Sequence, residues 1–150
     1  MPSVVERSAR LYSYYKTVEW PLLLEIVLEL LWYVSGAHVI IGWVGRSYYI
    51  AIPWLFRLLC FLYIGRIIAV RWKKGWFEGV VAGALGGGIM GIVIGLFYLF
   101  WYGGALGFLT FIALPWKTII IGMFVSGLAA HIIKLWREER EKVLNEFSKQ

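Results

Sequence analysis

The sequence contains no aspartate, one asparagine (Asn145), one glutamine (Gln150) and one cysteine (Cys60) in 150 residues. Whole chemistries lose their parts with these absences. Aspartyl proteolysis inside a membrane and Asp-rich magnesium sites are excluded, because both need clustered aspartates to share a proton or hold a hard cation. A single cysteine forbids an intrachain disulfide and removes thiolate zinc and iron–sulfur sites, which need several. Neither a glycine-rich phosphate loop ending in Lys-Ser/Thr nor a Gly-x-Ser-x-Gly elbow occurs. With nucleophile, metal and oxyanion parts this sparse, no enzymatic activity, metal or cofactor is expected.

Charge is scarce as well. Charged residues make up 16% of the chain against 61% apolar, and residues 79–102 carry no charge over 24 positions. Soluble domains are roughly 45–50% apolar even with glycine counted, whereas about 20 apolar residues suffice to cross a hydrocarbon core about 30 Å thick. The composition therefore predicts an all-α integral membrane protein in contact with the bilayer. Residues 1–19 carry Glu6, Arg7, Arg10, Lys16 and Glu19 without a central apolar stretch, so they do not read as a secretory signal.

Four spans are expected, at about residues 20–44, 49–70, 76–102 and 116–136, forming one transmembrane domain, a four-helix bundle. Pro21 suits a first helical turn, where its missing N–H costs nothing. Ahead of it Val4, Leu11, Tyr15 and Val18 recur at helical spacing, which predicts an interfacial amphipathic helix over about 4–18. Residues 137–150 turn abruptly polar and read as a short cytoplasmic helix in which Glu138 and Lys142 form an i, i+4 pair. Residues 103–115 are too apolar for a solvated loop, yet joined to the fourth span they would give about 34 residues, or roughly 51 Å, against a core of about 30 Å. Pro115 is expected to break that stretch, leaving an interfacial helix or a kinked extension, or a half-helix dipping back toward the membrane interior.

Charge asymmetry sets the expected orientation. Arg7, Arg10, Lys16, Arg71, Lys73, Lys74, Lys134, Arg137, Arg140, Lys142 and Lys149 fall on one side and only Arg46 and Lys117 on the other, so both termini are expected in the cytoplasm. This anchoring accounts for the net charge of +6, and no nucleic-acid partner is expected. Arg57 and Arg66 remain inside the second span.

Gly79, Gly83, Gly87, Gly91 and Gly95 occupy every fourth position of the third span. Membrane helices gain contact chiefly by close backbone approach, and a side-chain-free groove permits it. Gly122, Ser126 and Ala130 form a matching small-residue row on the fourth span. The ladder therefore packs the third span on the fourth, associates copies of the third span around an axis, or lines a pore with backbone.

Ionisable groups inside a membrane are costly and mark a function or an obligatory partner. Glu25 and Glu29 are four residues apart and share a helix face. With an antiparallel neighbour joined by a short loop, Arg66 and Tyr63 fall at their depth from the second span and His131 from the fourth. The expected site is thus Glu25, Glu29, Arg66, Tyr63 and His131, with Glu25 paired to Arg66 and Glu29 available to bind or relay a proton or small cation. Arg57 lies half a turn from Arg66 and must find another partner, such as His38, or snorkel. A haem held by both histidines is disfavoured, since His38 and His131 lie about 26 Å and 8 Å from the cytoplasmic boundary. Function is expected to be transport or channel activity, in a homo-oligomer, with a non-catalytic subunit of a larger membrane complex as the alternative.

Overall fold

The computed structural model describes residues 4–36 and 46–147. Four helices account for nearly all of them: α1 Val4–Val34, α2 Arg46–Arg71, α3 Trp76–Tyr102 and α4 Gly104–Phe147. No strand occurs among the described residues. Three stretches are long and apolar enough to cross a membrane, namely Ala51–Arg71, Trp76–Tyr102 and Gly104–Phe147. The apolar run of α1 is interrupted by Glu19, Glu25 and Glu29, and α1 is not among them.

Three boundaries differ from the sequence reading. The expected interfacial helix and first span are one uninterrupted helix, with Pro21 inside it. That helix ends at Val34, where the chain turns through Gly36 at φ +70°, a left-handed conformation that ends helices and that glycine adopts without strain; residues 37–44 of the expected first span lie outside the described residues. The anticipated break at Pro115 is absent, because α4 runs 44 residues without interruption, about 66 Å at 1.5 Å per residue. The polar tail after residue 136 continues α4 as far as Phe147, in line with its helical charge spacing.

The closest pairing is between α3 and α4, which form an antiparallel hairpin with Gly103 between them. Gly103 and Gly104 both take positive φ, 60° and 54°, and make the reversal in the fewest residues. From that turn the glycine ladder lies against α4 along its whole length. A methyl group on Gly79 would collide with Ser126 and Ala130, on Gly83 with the Gly122 carbonyl, on Gly87 with the Thr118 carbonyl and on Gly91 with Pro115. Each four-residue step up α3 is thus matched by a step of three to four down α4. Pro115 is accommodated here: its backbone lies over Gly91 and that of Phe111 over Gly95, so the partner groove supports the helix where its N–H is missing.

Two hydroxyls tie the layers together. Thr118 Oγ1 donates to the Gly87 carbonyl across the hairpin at 2.6 Å, and Ser126 Oγ donates to the Phe61 carbonyl of α2 at 2.9 Å. Gly65 of α2 also sits directly on α4, against Ser126 and Ala129. At the far end of α2 the Arg137 guanidinium donates to the Ala69 and Val70 carbonyls at 3.1 and 3.2 Å, satisfying groups a helix terminus leaves open. α1 completes the assembly by laying Val18 and Leu22 into a core shared with Phe61, Ile64 and Ile68 of α2 and Met90 and Ile94 of α3.

The outward faces are largely apolar. Leu24 and Leu31 of α1, Leu59 of α2, Phe100 of α3 and Phe124 and Leu128 of α4 are exposed. In water a surface of this kind would be an association hazard; in lipid it is the expected solvent-facing side. Lys117 does not sit at an end of the hairpin, as the charge reading supposes. It adjoins Thr118, which packs on Gly87 in the middle of α3, and it lies on the exposed face.

Candidate site: a buried carboxylate pair on one arginine

The inner face of α1 is set by spacing. Val18, Leu22, Glu25, Glu29 and Tyr33 are buried and recur at intervals of three and four, so the two glutamates occupy positions that apolar residues hold elsewhere on the same stripe. Glu25 and Glu29 are 1% and 0% exposed, and the guanidinium facing them, Arg57 of α2, is 2% exposed. Three ionisable groups in one dry seam require mutual compensation, since an unpaired charge there is prohibitive.

Arg57 gives its hydrogen bonds to Glu29. Nε donates to Glu29 Oε2 at 2.9 Å and Nη2 donates to Oε1, a two-point fork that matches guanidinium to carboxylate. The Arg57 guanidinium also lies 4.8 Å from the Trp54 ring centre one turn earlier, where the ring face supports a cation. Glu29 Oε1 accepts a further, longer bond from Tyr98 Oη at 3.4 Å, and Tyr98 Oη is hydrogen-bonded to Tyr33 Oη. Tyr33 and Tyr98 stack edge-on at 5.4 Å, next to Phe97 and Tyr102.

Glu25 is treated differently. Its nearest cationic atom is Arg57 Nε at 3.8 Å, too far for a hydrogen bond, and neither of its carboxyl oxygens has a hydrogen-bond partner among the described residues. The seam therefore holds two carboxyls and one guanidinium, which forks onto Glu29 through two of its five N–H donors. A fully ionised seam would carry one uncompensated negative charge. A proton or an incoming cation at Glu25 balances it.

No known protein family, curated protein or solved structure matches this chain. What the site can do thus rests on its own geometry.

Of the residues expected to meet here, the structure joins Glu25 and Glu29, and it places the half-exposed Tyr63 with Glu25 along one groove between α1 and α2. Arg66 and His131 are exposed on the outward faces of α2 and α4. The half-turn relation between the two arginines holds, but with the opposite assignment: Arg57 points inward and Arg66 outward. Depth does not separate them: Arg66 lies five residues from Arg71, and Arg57 lies six residues from Ala51, where the apolar stretch begins. Arg57 is the arginine on the face turned to Glu29, and nothing in the sequence marked that face. His38 lies outside the described residues. Among the described residues no group of three metal-ligating side chains is found. Tyr33 lies four residues beyond Glu29 and so continues the glutamate face by spacing alone, whereas Tyr98 carried no separate signal, because the membrane interfaces account equally well for tyrosines near helix ends.

The packing residues named from the sequence are brought together. Gly79, Gly83, Gly87, Gly91 and Gly95 face Gly122, Ser126 and Ala130 together with Thr118 and Pro115, within one chain.

Proposed function

We propose that the chain is a multi-pass membrane transport or channel component that binds or relays a proton or small cation at Glu25 and Glu29. The observation that carries this reading is the imbalance of the seam: two buried carboxyls, one guanidinium, and no hydrogen-bond donor for Glu25. In this reading Arg57 fixes Glu29 and shields part of its charge, and Glu25 is the exchangeable group. The hydroxyls of Tyr98 and Tyr33 extend the line of proton carriers from Glu29 toward the hairpin turn. Such carboxyl and hydroxyl chains relay protons in membrane pumps and transporters.

The topology that fits has α1 completing a four-helix bundle in the bilayer, both termini in the cytoplasm and the Gly103 turn outside. The mid-hairpin, outward-facing Lys117 favours assembly, because a lysine facing hydrocarbon is costly unless a neighbouring subunit meets it. A homo-oligomer follows in the transport reading. The alternative, a non-catalytic subunit of a larger membrane complex, is favoured by the Arg57–Glu29 fork, which taken alone is a satisfied structural clamp.

Flux separates the two. The purified chain is reconstituted in liposomes with a pH-sensitive dye inside, a potential is imposed, and proton and cation movement is followed. Movement above that of protein-free liposomes is expected. No movement under any gradient ends the transport reading and leaves the structural one.

A further inference from the structure

Between α1 and α2 the packing opens into a groove of about 410 Å³, within the range of roughly 300–1,000 Å³ usual for small-molecule sites. Its walls are apolar and aromatic: Trp20, Leu24 and Leu28 from α1, Phe56 and Leu59 from α2. Trp20, Leu24 and Leu59 are themselves exposed, so the groove is open on the outward side, the side that meets hydrocarbon. One lining residue breaks the pattern. Glu25 is 99% buried there, and both of its carboxyl oxygens lack a hydrogen-bond donor among the described residues.

We propose that this groove binds a single-chain lipophilic amine in its protonated form. The hydrocarbon body lies against Trp20, Leu28 and Phe56, and the ammonium donates hydrogen bonds to Glu25. Each part of the ligand answers a feature of the site. The apolar walls exclude hydrated ions and accept a chain. The second carboxyl calls for a positive charge, since the seam holds one guanidinium for two carboxyls and Arg57 bonds Glu29 while standing 3.8 Å from Glu25. Its bare oxygens require N–H donors, which a protonated amine has and a quaternary ammonium lacks. Anionic and neutral amphiphiles fail on charge. The proposal rests on the transport reading's view of Glu25 as the exchangeable group, but binding does not require flux.

The test uses the parent chain in phosphatidylcholine nanodiscs and a hydrophobic carbodiimide, dicyclohexylcarbodiimide. This reagent adds across a carboxyl O–H and rearranges to a stable N-acylurea, which peptide mass spectrometry assigns to a residue. Glu25 is expected to be labelled from the groove, and dodecylamine is expected to protect it. The half-protecting concentration of dodecylamine should lie at least about tenfold below that of dodecanol, equivalent to about 1.4 kcal/mol, with dodecyltrimethylammonium between them. Radiolabelled dodecylamine retained by the parent nanodiscs should fall by at least the same factor in Glu25→Gln. Equal protection by amine and alcohol, no labelling at Glu25, or labelling that dodecylamine does not slow would each overturn the proposal. Protection by phosphatidylethanolamine alone would put a lipid head group in the groove and overturn the free amine. Amine protection in a chain without flux would sink only the transport reading, and flux without amine protection would sink only this one.

Discussion

Replacing Arg57 by methionine removes both hydrogen bonds to Glu29 and the longer ion pair to Glu25, while keeping similar side-chain volume. Breaking a buried pair by deleting one partner costs about 3–5 kcal/mol, and stranding one charge at the centre of a membrane helix costs about 2.5–3.5 kcal/mol on insertion scales. The two ranges meet near 3 kcal/mol, more than a hundredfold in the folding equilibrium. Glu29→Met should cost less, about 2 kcal/mol, because Arg57 keeps Glu25 at 3.8 Å. The double mutant Arg57→Met/Glu29→Met removes the pair whole and leaves Glu25 to be neutralised by its own proton, and apolar replacement of a whole buried pair is close to neutral, so about 1 kcal/mol is expected. Independent sites would instead lose about 5 kcal/mol, the sum of the singles. Unfolding by sodium dodecyl sulfate in mixed micelles, followed through tryptophan fluorescence and circular dichroism, gives all three values. A double mutant as unstable as the sum of the singles would refute the pairing of Arg57 with Glu29.

Three further outcomes follow from other parts of the molecule. Gly83→Ala drives a methyl group onto the Gly122 carbonyl and should destabilise by about 1–3 kcal/mol. Gly88→Ala meets only the Ile119 side chain at 3.7 Å and should be neutral or stabilising by up to about 1 kcal/mol in the same unfolding assay; equal effects would mean that the hairpin does not pack through the ladder. Tyr98→Phe removes the hydroxyl between Tyr33 and Glu29 and should lose about 0.5–1.5 kcal/mol, while Tyr63→Phe, on an exposed face, should lose nothing measurable. For topology, single cysteines at Lys74, Ala105 and Glu146 in a Cys60→Ala background are exposed to an impermeant maleimide on intact cells. Labelling at Ala105 alone is expected, and labelling at Lys74 or Glu146 without Ala105 would invert the orientation.

Much of the helical content was legible because it depends on composition and on repeats. An uncharged run such as residues 79–102 has few alternatives to a buried helix, and α3 occupies the expected span of 76–102. The glycine ladder was legible for the same reason: spacing of four on a helix is a face, and an all-glycine face permits backbone contact. Helix ends were less so. Gly36 ended α1 by a backbone conformation that hydropathy does not encode, while Pro21 and Pro115, which usually mark ends, lie inside helices because neighbouring elements support them. The near boundary of the first span is what misdirected the site. Depth counted inward from Pro21 and from Val70 puts Arg66 level with Glu25, but Pro21 lies inside α1 and marks no boundary; the observed seam matches Glu29 with Arg57 instead. On α2, apolar on every face, hydrophobic periodicity could not say which arginine faced inward.

In the proposed cycle Glu25, which has no hydrogen-bond donor among the described residues, is the exchangeable group, and Glu29 is held by Arg57. The most direct measurement is the ratio of proton flux in Glu25→Gln to flux in the parent, at equal protein incorporation in liposomes under an imposed potential. Glutamine keeps the shape and fixes the neutral state, so the account expects flux to fall to the level of protein-free liposomes while the unfolding midpoint in detergent stays within about 1 kcal/mol of the parent. Flux from Glu25→Gln equal to that of the parent would contradict it.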